Sequence, residues 1–199
     1  MIPRLIYRDT AIEIRAPEEA DAPLLCRAVR DSQADIGRWE SWCTPAYNVA
    51  DSLRFLRDSE QKRSRGSEYN FNLFDLNSGG IIGAISLNRI SYEYHMANIG
   101  YWTHSDHTGR GLAPLAVRAA SQFAFERLAL TRLEIVAMER NHRSCRVAEK
   151  VGATAEGLHR NRLYFHGKPC HAWVYSLIPG DITYPDAAVP PLQQRNATL

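Results

Sequence analysis

The segment Ile99-Gly-Tyr-Trp-Thr-His-Ser-Asp-His-Thr-Gly-Arg-Gly-Leu-Ala-Pro114 holds the residues whose types and spacing point most directly to chemistry. An apolar, aromatic run gives way to a loop containing Gly109 and Gly111, and a helical pattern starts at once. Glycine reaches positive φ and lets a ligand approach the backbone with no Cβ in the way. The free N–H groups of a first helical turn at Leu112 and Ala113, reinforced by the helix dipole, make an anion site. Thr108 opens this loop, and Arg110 adds a mobile positive charge suited to a second phosphate. Pro114 has no N–H to contribute. Two familiar phosphate loops are excluded, because GxGxxG fails at Pro114 and no Lys-Ser/Thr pair follows the glycine. A strand–helix turn without chemical purpose would look the same, so this loop decides nothing alone.

A second polar run is Asn141-His-Arg-Ser144-Cys-Arg-Val-Ala-Glu-Lys-Val-Gly-Ala153, which starts a short helix and ends at a glycine cap. Ser144 offers a hydroxyl that either caps that helix or moves a proton. The seven histidines raise the question of a metal. His104-x-x-His107 lies in a loop and His159, His166 and His171 surround a hairpin, but no Cys or carboxylate completes a zinc spacing, so none is expected. Trp39, Trp42, Tyr47 and Tyr92 could line an acceptor cleft, and Trp39 and Trp42 could equally be core.

The elements that must position these groups follow from periodicity. Ala11 to Arg15 alternates as a half-buried first strand does. Pro17 opens a helix through Arg30, and Gly37 to Tyr47 reads as an aromatic loop. Asn48 caps a second helix that runs through Arg65 and stops at Gly66. Strands at 68–76 and 81–90 are joined by Asn77-Ser-Gly-Gly80, and a third covers Ala97 to Thr103. A long helix from Gly111 to Ala129, a strand from Arg132 to Met138 and a short helix from Ser144 to Val151 come next. A closing hairpin, Ala153 to Phe165 and Cys170 to Leu177, ends the pattern, and its last strand offers Trp173, Val174 and Tyr175 as an apolar edge for a homodimer. The order β-α-α-β-β-β-α-β-α-β-β describes an α/β protein around one mixed sheet.

With 199 residues the chain can bury one sizeable core. A domain over residues 1–178 and a proline-rich tail over 179–199 are expected. A net charge of +2 argues against a nucleic-acid footprint. The four cysteines form no CxxC pair, and reduced thiols in a cytoplasmic protein fit them. The first ten residues contain no apolar h-region and no stretch approaches membrane-spanning length, so neither targeting nor membrane contact is expected.

Taken together, the two polar runs resemble the GNAT superfamily of N-acetyltransferases, and within it the RimJ/RimL type. "IGYW" before the loop, "GRGLA" in it, "NxxSxRVxEKxG" after the next strand and "EG" at Glu156-Gly157 occur in order. The resemblance implies a GNAT fold whose mixed, mostly antiparallel sheet splays where Tyr101 and Val136 diverge. Acetyl-CoA would enter that gap, its pantetheine pairing with strand backbone at Trp102, Thr103 and His104. Its pyrophosphate would lie on the amides from Gly109 to Ala113, and Asn141 would bond the pantetheine arm. Ser144 would protonate the leaving thiolate, since the tyrosine many relatives use falls at Ala148.

Two carboxylates of the pattern are missing, at Asn98 and Leu163, and His171 stands where an acid is often found. Glu93, His95, His166 and His171 are the candidates to replace them as general base. An α-amine, with a pKa of about 7.7–8, is appreciably neutral at pH 7, whereas a lysine amine at about 10.4 is not. The resemblance therefore implies acetylation of a primary amine, by preference a protein N-terminus. Acetylation of an antibiotic or polyamine, or an acetyl-CoA sensor without turnover, are the alternatives.

Overall fold

The computed structural model describes residues 3–184. Its first two strands, β1 (Leu5–Arg8) and β2 (Ile12–Arg15), form a hairpin tied by Asp9, whose carboxylate accepts the amides of Ala11 and Ile12. The periodicity predicts only the second of them, because Leu-Ile-Tyr-Arg in β1 lacks the apolar–polar alternation that Ile-Glu-Ile-Arg shows in β2. Helices α1 (Ala22–Asp31), α2 (Gln33–Ile36) and α3 (Val49–Ser64) follow. Helix α1 starts at Ala22 rather than Pro17, since Glu19–Asp21 form a 3-10 turn in which Asp21 accepts the amide of Glu18. Helix α3 begins as expected: Asn48 caps Ala50 and Asp51, and Asp51 returns a bond to the Asn48 amide.

Strands β3 (Tyr69–Asp75), β4 (Ile81–Ser91) and β5 (Met96–Thr103) make an antiparallel meander. Helix α4 (Leu112–Arg127) crosses over to β6 (Arg132–Met138), which lies parallel to β5. Then come α5 (His142–Lys150), β7 (Thr154–Phe165) and β8 (Lys168–Leu177). All eight strands join one mixed, mostly antiparallel sheet in the order β1-β2-β3-β4-β5-β6-β8-β7. Strand β8 is thus flanked on both sides, by β6 and by β7. The apolar edge expected at Trp173 to Tyr175 is corrected by this order: their backbone is already paired, and Val174 and Tyr175 are buried.

Helices α1 and α3 pack on one sheet face, and α4 on the other, with α5 against α4, β6 and β7. Ala116, Ala119, Ala120 and Ala124 are buried on α4, so the helix lies close to the sheet, and Phe123 meets Tyr69 and Phe71 edge-on at 5.2 and 5.3 Å. Ile182 is buried and Tyr184 packs against the same core, so folded structure continues beyond Ile178. Pro185, Pro190 and Pro191 of the expected tail lie outside the described residues. No helix of the described residues is long and apolar enough to cross a membrane.

An ion cluster ties β7 to β6. Arg132 donates to both oxygens of Glu156, at 2.7 and 2.6 Å, and to Glu134 at 2.9 Å. The Arg132 hydrogen bonds hold the Glu156 carboxyl down to about 2 from the usual 4.5. A depressed folded-state pKa stabilises the protein above the unfolded value and ceases to do so as the pH falls through the folded one. Glu156→Gln should therefore lower the urea midpoint at pH 7, and its deficit against the wild type should fade between about pH 4.5 and pH 2. A deficit that is independent of pH would show that packing, not charge, is what Glu156 contributes.

Candidate functional site

The site begins where the sheet opens. Strand β5 stays paired with β4 through Thr103, but with β6 only through Ile99, opposite Ile135. From Val136 to Met138, β6 pairs with β8 alone. Beyond Ile99 the two parallel strands diverge, leaving a cleft of about 460 Å³ between β5, β6, α4 and α5.

The direction of the β5 backbone in this gap follows from alternation. The His104 amide donates to Ile82 across the β4 pair, so every second residue back, Trp102 and Gly100, also turns its backbone toward β4. The groups that face the gap belong to Tyr101 and Thr103. This corrects the expected pantetheine partners at Trp102 and His104, whose amides are engaged with β4. Of the three expected partners only Thr103 turns its backbone to the gap, together with Tyr101. His104 does not line the cleft at all: its ring accepts the Asp106 amide and lies 3.8 Å from Asp31.

The glycine loop closes one end of the cleft. Thr108, Gly109, Gly111, Leu112 and Ala113 line it. Gly109 and Gly111 have φ of +79° and +81°, the left-handed region that favours glycine. The first helical bond of α4 runs from Leu115 to Gly111, no side chain caps the helix, and its first turn holds no acid. Its leading donors are thus uncommitted, as an anion site requires. Thr108 spends its hydroxyl on Ser105, within the loop. Arg110 is exposed and does not line the cleft. Arg143, Arg146 and Lys150 of α5 do, a set the sequence marks by i, i+3, i+7 spacing.

At the inner end stand Ser144 and Tyr101. The Tyr101 hydroxyl donates to the Ser144 carbonyl at 3.1 Å and lies 3.0 Å from its Oγ. A phenol has one proton, so with the carbonyl accepting it, Ser144 Oγ–H points to the phenol oxygen. Burial holds the Tyr101 phenol well above its usual pKa, the Ser144 bond offsetting part of the rise. Helix α5 starts at His142, two residues earlier than Ser144. Its cap is Asn141, whose Oδ1 accepts the Ser144 amide at 3.1 Å. The capping role considered for Ser144 is thereby removed. Asn141 lines the cleft with its Oδ1 used in the cap, leaving its NH2 to donate.

A second, larger cleft of about 710 Å³ opens between β3, β4, α3 and the loop after α2. It shares Glu40, Gly100, Tyr101 and Trp102 with the first, so the two meet across the end of β5. Trp42 lines the second cleft and Trp39 the first. Trp42 is exposed and Trp39 half-buried, so neither is core. Tyr92 lines neither; its hydroxyl donates to the Gly66 carbonyl at 2.8 Å.

The expected bases are not brought to this junction. Glu93 and His95 sit at the far tip of the β4–β5 hairpin, where His95 Nδ1 lies 3.1 Å from the Ala129 carbonyl. Six residues of strand separate His95 from Tyr101, about 20 Å at ~3.3 Å each. His166 occupies the β7–β8 turn with its ring on Phe165, and His171 accepts the Asn161 amide. None of the four lines either cleft. Leu163 does, placing a hydrocarbon where a carboxylate would act, and Asn98 bonds to Asn88. Cys26, Cys43, Cys145 and Cys170 are free thiols. No group of three or more His, Cys, Asp or Glu among the described residues could hold a metal ion.

Comparison with known proteins agrees with this geometry. Residues 11–154 match the family described as acetyltransferase (GNAT) domain. YdaF of Bacillus subtilis strain 168 is 30% identical over 167 residues, 84% of this chain and 91% of that protein. The ribosomal-protein-serine acetyltransferase of Escherichia coli strain K12 is 25% identical over 147 residues, 74% of this chain and 81% of its own length. Among solved structures, the ribosomal alpha-N-protein acetyltransferase RimL in complex with coenzyme A superposes with a TM-score of 0.80 at 24% identity, covering 87% of this chain and 97% of that one. That last likeness is one of fold.

Proposed function

The chain belongs to the GNAT acetyltransferase family and is an acetyl-CoA-dependent N-acetyltransferase; on that premise we propose that its acceptor is a protein N-terminal α-amine. One observation carries the proposal: two clefts meet at Gly100 to Trp102, so that thioester and amine can face each other without a covalent enzyme intermediate. The larger cleft is open enough for a peptide and carries Glu40, Asp51 and Glu68 against one lining cation, Arg54, a balance that favours an arriving ammonium. The relative that acts on a ribosomal protein supports the same class.

Acetyl-CoA supplies the acetyl carbonyl and a thiolate leaving group. The free amides from Gly109 to Ala113 would hold its pyrophosphate, and Arg143, Arg146 and Lys150 would add positive charge along the cleft. The gap-facing amides of Tyr101 and Thr103 would align the pantetheine arm, and one of them would meet the oxygen on which charge develops. Ser144 donates a proton to the thiolate, and the Tyr101 phenol oxygen, which accepts the Ser144 Oγ–H at rest, holds that hydroxyl in place until it does so.

The test is turnover of acetyl-CoA with short peptides bearing a free N-terminus, the same peptides blocked at the N-terminus but containing lysine, and spermidine, with intact-mass analysis of products. Acetylation of the free α-amine is the expected result. Turnover confined to spermidine would assign a small-molecule acceptor, and tight acetyl-CoA binding with no turnover on any amine would leave a sensor.

A further inference from the structure

Direct transfer from an ammonium needs a base, and the positions where the resemblance expects one hold Asn98 and Leu163. The two clefts contain four carboxylates: Asp35 and Glu40 in the smaller, and Glu40, Asp51 and Glu68 in the larger. Three are committed. Asp35 accepts from the Ser105 hydroxyl at 2.6 Å and faces Arg143 at 3.7 Å. Asp51 closes the capping box of α3 and pairs with Arg54 at 3.3 Å. Glu68 lies 3.2 Å from Lys62 and accepts from Asn70.

Glu40 differs in every respect. It alone of these lines both clefts, and among the described residues it pairs with no cation. Its one side-chain bond comes from the Trp42 indole at 3.2 Å, which leaves the other carboxylate oxygen unengaged. Its backbone is fixed: the amide donates to Ile36 at 2.9 Å and the carbonyl accepts from Cys43 at 3.2 Å. We propose that Glu40 is the general base that takes the proton from the acceptor ammonium at the junction of the two clefts.

The proposal rests on the acceptor being an amine. The step balances as follows. Glu40 takes one proton from the ammonium, whose nitrogen pair then forms the bond to the acetyl carbon. The carbon–sulfur bond breaks, the second amine proton passes to Ser144 Oγ as Ser144 gives its own proton to the thiolate, and Glu40 releases its proton to water through the open cleft. Cys43, on the same loop, feels the Glu40 charge directly, and the charged and titratable groups that line the clefts with Glu40 are Asp35, Tyr101, His107, Arg143, Arg146 and Lys150 in the smaller and Tyr47, Asp51, Arg54 and Glu68 in the larger. Burial keeps the Cys43 thiol, the Tyr101 phenol and the His107 ring in their neutral forms at pH 7. Partial loss of solvent also raises the Glu40 carboxyl above its ordinary range, the Trp42 bond opposing it, which brings a base closer to the pH at which it works.

An α-amine of pKa near 8 is about one-tenth neutral at pH 7, so an enzyme without a base must wait for that fraction. Glu40→Gln should lower kcat/KM for a free N-terminal peptide by about tenfold at pH 7, with the deficit closing above about pH 8.5 as the amine arrives neutral. Calorimetry with coenzyme A should show unchanged affinity. Glu40→Asp, which keeps a carboxylate, should recover part of what Gln loses. If Glu40→Gln matches the wild type at pH 7, or loses activity equally at every pH, Glu40 is not the base. Absence of wild-type turnover on any amine would instead refute the acceptor assignment itself.

Discussion

Gly111→Val should weaken coenzyme A binding by about 10²–10³-fold while leaving a folded protein. A Cβ built on Gly111 meets no protein atom within 4 Å, so the fold does not reserve that space for itself. What glycine provides is its φ of +81° at the head of α4, together with an open approach to the amides that follow. Valine is strained there by ~1–3 kcal/mol, and relief of the strain turns those amides away. Hydrogen bonds to charged groups are worth ~1.5–3 kcal/mol each, so losing one or two accounts for the expected range. Gly111→Asn separates the two effects, because asparagine tolerates the left-handed conformation and should bind between the wild type and valine. Calorimetry with coenzyme A, alongside circular dichroism, makes the measurement. Wild-type affinity in a folded valine variant would remove the pyrophosphate from this loop.

The glycine loop was legible in the sequence because its chemistry is local. Two glycines, the helix start and the missing cap all lie within a few residues, and the backbone does what those residue types permit. Ser144 shows the limit of local reading. Asparagine and serine both cap helices well, and Asn141 and Ser144 stand three apart. A start at either residue satisfies the pattern; the structure chooses the earlier, and Ser144 becomes the residue whose amide is capped.

Long-range relations escaped. A hairpin pattern shows that β7 and β8 pair, but not which of them enters beside β6, so the last strand in sequence was expected at an edge and lies inside the sheet. Tyr101 sits in a strand whose alternation explains it as core, and only the approach of α5 from 43 residues away gives its hydroxyl a partner. Glu40 is a single charge in an aromatic loop. Its meaning comes from β5, which shares no local pattern with it, and from the cations that pair with its competitors.

Ser144→Ala should lower kcat by about 10²-fold with coenzyme A affinity and melting temperature almost unchanged. General acid catalysis is typically worth ~10²–10⁴-fold, and a thiol leaves readily enough, with water as a substitute donor, to put this case at the low end. Stability should hold because Asn141, not Ser144, caps α5. Asn141→Ala is the matching control: it should cost ~1 kcal/mol of stability, the loss that a Ser144 cap would have shown. Tyr101→Phe tests the partner. If the phenol oxygen holds the hydroxyl that gives the proton, the Tyr101→Phe and Ser144→Ala effects on kcat will fall well short of multiplying in the double variant. Both variants need a single-turnover measurement, so that the chemical step and not product release is compared. Unchanged single-turnover rates in Ser144→Ala would exclude its hydroxyl from the proton path and leave Tyr101 anchored to the Ser144 carbonyl as a contact that only fixes α5 against the sheet.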